Sequence, residues 1–318
     1  MDVKANDVGS PSFTRVALPG HYAISMTKDA FHTYYITAVA EGGRTTDVIH
    51  TDATVIKAWE KFRFINGGPT DPYFSIQTLA GYFLSAVNSG GLTANAITSA
   101  ATSVGDWELL AFKPQSGLSY TPHFAIQTTR GYFLTAVGHG GHNSGDTIHS
   151  DATVAKDWEM FDFIKIGDPG TNSTYSFQGL YSYGGSGGFL RAPGGGRRND
   201  SSALIVDPGG EGYTLAFTLI RQDDGTYALK TSSGYYVTAN AGGLPGAGYR
   251  TDTPEVNNWE KFTIIPNETD CTSHIRTYNG TYLSIVTGQP PQPPNVLDNV
   301  VDIAKATRWR LWVMAFYA

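Results

Sequence analysis

Residues 131–161 read GYFLTAVGHGGHNSGDTIHSDATVAKDWEMF, and residues 33–62 read TYYITAVAEGGRTTDVIHTDATVIKAWEKF. Both stretches run from an aromatic-aliphatic strand through a Gly-Gly turn and an Asp-Ala-Thr-Val segment to a closing Trp-Glu-x-Phe. Outward from these, the closing string recurs as AWEKF at Trp59, DWELL at Trp107, DWEMF at Trp158, NWEKF at Trp259 and RWRLW at Trp309, at intervals of 48, 51, 101 and 50 residues. Tyr213–Phe217 fills the long interval, with Phe217 matching Phe62, Phe161 and Phe262. The aromatic-aliphatic strand recurs at Ile36, Leu84, Leu134, Leu190, Val237 and Leu283, each preceded by a further alternating strand. Asp52, Asp151, Asp207, Asp252 and Asp302 stand seven residues before the closing position, and Ala100 is the exception.

The chain is therefore six units of about 50 residues, each with four short strands and Gly-containing turns. Six such units make one six-bladed propeller or two β-trefoils of three units each. No WD pair and no permuted closing strand is present, which favours an all-β chain of two β-trefoil domains. The polar stretch GDPGTNST at 167–174 follows the third unit and sets the expected domains at 1–168 and 169–318.

Composition agrees. Of 318 residues, 37 are glycine, 18 tyrosine and 16 phenylalanine, while only 16% are charged, as suits many short strands rather than a helical bundle or a disordered chain. The net charge of −6 gives no clustered basic face for nucleic acid. No apolar stretch approaches the ~20 residues that span a bilayer, and no secretory leader is legible at the N-terminus, so membrane insertion is not expected. The single Cys271 cannot form an internal disulfide, which leans to a reducing, cytoplasmic location.

The strand GYFLTAV, the Gly-Gly turn and the W-E-x-F closing string resemble the β-trefoil repeats of the fascin-like group, which includes actin cross-linkers and carbohydrate-binding modules. The resemblance spans residues 20–316 and is strongest in units one, two, three and five. It implies tandem trefoils and a binding rather than catalytic role. The Q-x-W signature of ricin-type lectins is absent.

Repetition of the Trp-Glu pairs in a symmetric fold points to structural residues, so Trp59, Trp107, Trp158, Trp259 and Trp309 are expected to be largely buried, with the glutamates answering a backbone group or a cation. The repeated aspartates are expected to cap turns. Binding is expected on the Gly-Gly loops, since loops on a rigid scaffold carry recognition. Unit three offers His139, His142, Asn143, Asp146 and His149, unit two offers Asn88 and Asn95 with Ser89, and unit one offers Arg44 and Asp47 with Glu41 and Thr45. Units one to three keep the pattern best, so ligand sites should concentrate in residues 1–168.

No metal, cofactor or enzymatic activity is expected. Gly184–Gly188 matches G-x-S-x-G, but a nucleophile elbow needs a strand-to-helix turn that an all-β chain does not offer. The N-x-S/T sequons at Asn172, Asn199, Asn267 and Asn279 are readily made by chance in such a composition. The leading expectation is a lectin whose weak sites sum over repeated glycans or glycoproteins. The second is filamentous actin as partner, against which the acidic charge weighs. The third is a protease inhibitor, supported only by the loop Pro290–Pro294.

Overall fold

The computed structural model describes residues 15–29, 32–68, 70–115, 123–180, 186–207, 212–287 and 295–316. The Pro290–Pro294 loop, and Gly184 and Gly185 of the G-x-S-x-G string, lie outside them. Each unit has four strands, and unit one shows the pattern: His21–Asp29, His32–Ala38, Ile49–Ala53 and Phe62–Asn66. The second and third strands form a hairpin, while the first and fourth build a barrel.

Closure of that barrel defines the architecture. Phe62–Asn66 pairs with Tyr73–Thr78 of unit two, Leu110–Gln115 with His123–Thr128 of unit three, and Asp162–Ile166 returns to His21–Asp29 of unit one. Phe217–Arg221, Thr263–Asn267 and Arg308–Ala315 close a second barrel in the same way, the last returning to Thr174–Leu180. Two closed six-strand barrels, each capped by hairpins about a pseudo-threefold axis, make the chain a pair of β-trefoils.

Register explains the core. Phe64 lies opposite Ile76, Phe112 opposite Ile126 and Phe163 opposite Ile24. The first and fourth strands thereby send one aromatic and one aliphatic residue per unit into the barrel. Hairpin residues Ile36, Leu84 and Leu134 close it from above, and all these side chains are buried. The central void is lined only by Ile, Leu and Ala and measures about 20 Å³, too apolar to hold water.

The same register corrects the sixth unit. Leu311 faces Phe177 as Phe64 faces Ile76, so Trp309 stands at the place of Phe62 and not at that of Trp59. Trp309 is fully buried, and its indole Nε1 donates to the Leu283 carbonyl at 3.1 Å. The string RWRLW therefore resembles the closing strings of the other units while sitting three residues out of step with them.

The two trefoils are joined by more than a linker. Strand Arg308–Ala315 also pairs with Asp162–Ile166, setting Trp312 beside Ile164 and Leu311 beside Lys165. Beyond it, Phe316 enters the open end of the first barrel. Three stacked ring pairs surround that opening, Tyr22–Phe64 at 4.2 Å, Phe74–Phe112 at 4.7 Å and Phe124–Phe163 at 5.0 Å. Phe316 lies 5.1 Å from Phe74 and 5.9 Å from Tyr22, with the other four rings between those values. The residues around the seam are likewise tied down: Asp168 accepts from the Tyr227 hydroxyl at 2.7 Å and from the Gly170 amide at 2.8 Å.

Phe316→Ala removes a ring that six others contact while leaving the barrel strands intact. A half-buried phenylalanine in such a cluster contributes about 2–3 kcal/mol. The variant should lose that much in urea unfolding, with the first trefoil's aromatic near-ultraviolet signal most affected.

A second expectation concerns pH. His123 Nδ1 lies 2.8 Å from the buried Asp162 carboxylate, and that hydrogen bond raises the imidazole above its ordinary value despite the opposing effect of burial. A raised folded-state value means the stabilisation is fully present below the unfolded value of about 6.5 and is lost as pH rises through the folded one. Thermal melts of the parent and His123→Gln should therefore differ most below about pH 6.5 and converge as pH rises through the folded-state value.

Candidate functional site: repeated tryptophan clefts

Each Gly-Gly turn is a seam between units. The Gly43 amide donates to the Ser99 carbonyl of the next unit at 2.7 Å, and the Ser99 amide returns to the Arg44 carbonyl at 2.9 Å. Gly91 and Leu92 bind Ser150 in the same manner, and Gly141 and His142 bind Thr51, which closes the ring of three. Arg197 and Arg198 repeat it with Thr251 in the second trefoil. Room is short: at Gly90, where φ is +100°, a Cβ would lie 2.9 Å from the Ser150 carbonyl oxygen and 2.9 Å from Tyr132 Cβ. The backbone of the turn glycines is thus consumed in holding neighbouring units together.

The tryptophans are corrected as well. Trp59, Trp107, Trp158 and Trp259 are 44%, 41%, 46% and 44% exposed, and only Trp309 is buried as expected. Trp59, Trp107, Trp158 and Trp259 lie on single 3₁₀ turns, Ala58–Glu60, Asp106–Glu108, Asp157–Glu159 and Asn258–Glu260, that precede the closing strand. Core alternation begins only at Phe62 and its counterparts, so the tryptophan falls outside it.

The buried partner is the following glutamate. Glu60 accepts the Lys57 amide at 2.8 Å on one oxygen and the Thr37 hydroxyl at 2.7 Å on the other. Glu159 does the same with Lys156 and Thr135, and Glu260 with Asn257 and Thr238. Glu108 accepts the Gly105 amide at 2.7 Å, and a buried Ser85 stands where the threonines stand. Thr37, Thr135 and Thr238 each follow an irregularity in hairpin register that recurs in every one of these units. The carboxylate thus bolts the turn to the hairpin and holds the indole outward in one orientation.

Two of the four indoles, those of Trp59 and Trp259, line shallow clefts. In unit one Asp52, Val55, Lys57 and Trp59 are among the residues lining a concavity of about 610 Å³, and in unit five Arg250, Thr253, Asn257 and Trp259 are among those lining one of about 240 Å³. The 3₁₀ turn at the start of the Gly-Gly segment packs on the tryptophan turn of its own unit. In unit three that turn brings His139 edge-on to Trp158, with ring centroids 6.2 Å apart.

The candidate residues named from sequence fall into separate places. His139 stands against Trp158 in unit three, and Asn88 is exposed on the matching 3₁₀ turn Val87–Ser89 of unit two. His142 accepts from the Thr51 amide through its carbonyl, Asn143 is exposed beside it, and His149 is half-buried on strand Ile148–Ala152. Asp47, Asn95 and Asp146 meet at the mouth of the first barrel, where the Asp146 carboxylate accepts the Asn95 amide at 2.6 Å. Arg44 lies 3.2 Å and His50 2.8 Å from Asp47, and the His50 hydrogen bond holds that carboxyl below the usual range.

The repeated aspartates have mixed roles. Asp302 accepts the Ala304 amide as a turn cap, Asp207 pairs with Arg191 at 2.9 Å, and Asp252 lies 3.6 Å from Arg250. Asp52 and Asp151 are exposed, and no cap hydrogen bond forms at either. Among the described residues no group of three His, Cys, Asp or Glu side chains could hold a metal, and no helix is long and apolar enough to cross a membrane.

No family model and no curated protein matches the sequence. Among solved structures the chain is similar to a mosquitocidal holotoxin, at 14% identity and a TM-score of 0.39 over 95% of this chain and 35% of that one. The chain thus spans about a third of the toxin's length. It is also similar to the designed threefold-symmetric protein ThreeFoil, at 11% identity and a TM-score of 0.39, over 46% of this chain and 99% of that one. A third likeness is to the BEL β-trefoil in an apo crystal form, at 16% identity and a TM-score of 0.35, over 46% and 97%. The class of the protein, all-β and β-trefoil, rests on its own strand pairing.

The inversion of tryptophan and glutamate sets an expectation for stability. Trp59→Ala and Trp158→Ala should leave the unfolding midpoint within about 1 kcal/mol of the parent, as surface changes do. Trp309→Ala should cost about 3–5 kcal/mol, the range for emptying a buried aromatic site. Urea titration of the three variants checks both.

Proposed function

We propose that this protein binds carbohydrate, without catalysis, through the exposed tryptophans of units one, two, three and five. The observation that carries this reading is the recurrence of a half-exposed indole at one place in four units, each held by a buried carboxylate. A protein gains nothing in stability by leaving an indole so exposed, and repeated exposed apolar groups with polar rims mark interaction sites. A flat indole suits the apolar face of a pyranose, and the polar groups beside it suit the hydroxyls on the ring's edge. The shallow openings match a ligand held one sugar at a time, with affinity gained by multivalency on a target carrying repeated glycans.

The fascin-like resemblance supports filamentous actin as the second reading, and the net charge of −6 counts against it on an acidic filament. A buried, unpaired Cys271 is in keeping with a reducing compartment.

Binding of the parent and of a variant with Trp59, Trp107, Trp158 and Trp259 all changed to alanine should be compared on a glycan array. Loss of about 100-fold or more in apparent avidity, with an unchanged thermal midpoint, is expected. Equal binding by the two proteins overturns the reading, and co-sedimentation of the parent with filamentous actin at physiological salt would put the second reading in its place.

A further inference from the structure

The four tryptophan turns are equal in their exposed indole and unequal in the residues around it. The ten residues ending in the buried glutamate read TDATVIKAWE at Thr51–Glu60 and SDATVAKDWE at Ser150–Glu159, against SAATSVGDWE in unit two and TDTPEVNNWE in unit five. All four segments have one length, one starting strand and one carboxylate tie, so matching positions occupy matching places.

In unit one Asp52 and Lys57 line the same concavity as Trp59. Both are exposed, and neither side chain takes part in an ion pair or hydrogen bond among the described residues. Asp151 and Lys156 stand in the same condition in unit three. Unit two has Ala100 and Gly105 at those two places. Unit five has Asp252 lying 3.6 Å from Arg250, and Asn257 in place of the lysine.

A carboxylate that only accepts and an ammonium that only donates, set beside an open indole, form a three-point frame. Two adjacent hydroxyls of a sugar can satisfy the charged pair together, each hydroxyl donating to one group or accepting from the other. The indole takes the ring's apolar side. Charge selects further among sugars. In unit one Asp52 and Glu60 line the concavity against a single Lys57, and unit three carries Asp151 and Glu159 against Lys156 at the matching positions, on a chain of net charge −6. A carboxylated or sulfated sugar would meet more negative charge than positive at either place.

We propose that the tryptophan turns of units one and three are the two full binding sites, each taking one neutral pyranose with vicinal hydroxyls, and that units two and five supply stacking alone. This inference rests on the carbohydrate reading above. One step of the pseudo-threefold axis separates the two sites, so they engage two different sugars of a branched or repeated glycan. The four tryptophans are thus divided by their neighbours into two competent sites and two auxiliary ones.

The test uses the full chain on an array carrying neutral hexose-terminated, uronate-terminated and sulfated glycans. Preference for neutral glycans is expected. Asp52→Asn combined with Asp151→Asn should weaken binding to them by about 10- to 100-fold, the range for losing charge-assisted hydrogen bonds. Lys57→Ala combined with Lys156→Ala should act in the same direction, and Trp107→Ala combined with Trp259→Ala, which removes stacking alone, should weaken binding by less than either charged-pair variant does. If the Trp107 and Trp259 double variant loses as much as the aspartate variant, or uronate and sulfated glycans bind best, the two-site assignment is overturned while tryptophan recognition stands. If the fourfold tryptophan variant binds like the parent, the carbohydrate reading falls and this assignment falls with it.

Discussion

No unit of the first trefoil is complete alone, because the backbone of its Gly-Gly turn takes hydrogen-bond partners on the third strand of the following unit. Gly43 and Arg44 need Ser99, Gly91 and Leu92 need Ser150, and Gly141 and His142 need Thr51. Buried peptide groups left unpaired would cost more than the units could recover by packing. The ring therefore closes at three. The tyrosine opening each hairpin reinforces the dependence: Tyr82, Tyr132 and Tyr34 cover Gly43, Gly91 and Gly141 of the preceding unit so closely that a side chain there would meet the ring.

That closure places the tryptophans. Since the Gly-Gly segment is fixed to its neighbour at one end and to the tryptophan turn of its own unit at the other, the position of each tryptophan turn is set by the same ring of contacts that makes the trefoil. The buried glutamate completes the arrangement from below. A carboxylate with both oxygens occupied, one by a backbone amide and one by a hydroxyl, is a rigid support for an indole left half-exposed. Recognition and stability use adjacent residues, and the division between them runs between Trp59 and Glu60.

The two trefoils share a different constraint. Strand Arg308–Ala315 serves the second barrel, the edge of Asp162–Ile166 in the first, and through Phe316 the aromatic opening beneath it. Burial at this junction pushes the Lys165 ammonium down to about 7, with its Nζ 4.1 Å from the Tyr22 ring centroid and donating to the Pro19 carbonyl. Groups this enclosed belong to a continuous interior rather than to a loose contact between independent domains.

Much of the fold was legible in the chain itself. The spacing of Ile36, Leu84, Leu134, Leu190, Val237 and Leu283 counts six units, because a symmetric core needs an aliphatic residue at one place in each. Alternation distinguishes strands from turns, and the Gly-Gly pairs mark positive-φ positions. What local pattern could not assign was which member of a Trp-Glu pair lies inside: apolar character points to the tryptophan, whereas the structure buries the glutamate. The reason is tertiary. A threonine brought alongside by a hairpin irregularity, and a turn amide three residues back, together satisfy both carboxylate oxygens, and neither partner is visible as such in the repeat. Likewise Trp309 reads as one more copy of Trp59 until strand pairing opposite Gly179 moves it into the core, and Phe316 reads as a trailing aromatic until the first barrel closes around it. Sequence determined the number and kind of the units; the closing of the rings decided which side chains were left outside to meet a ligand, since exposure is a property of the assembled surface and not of the residue.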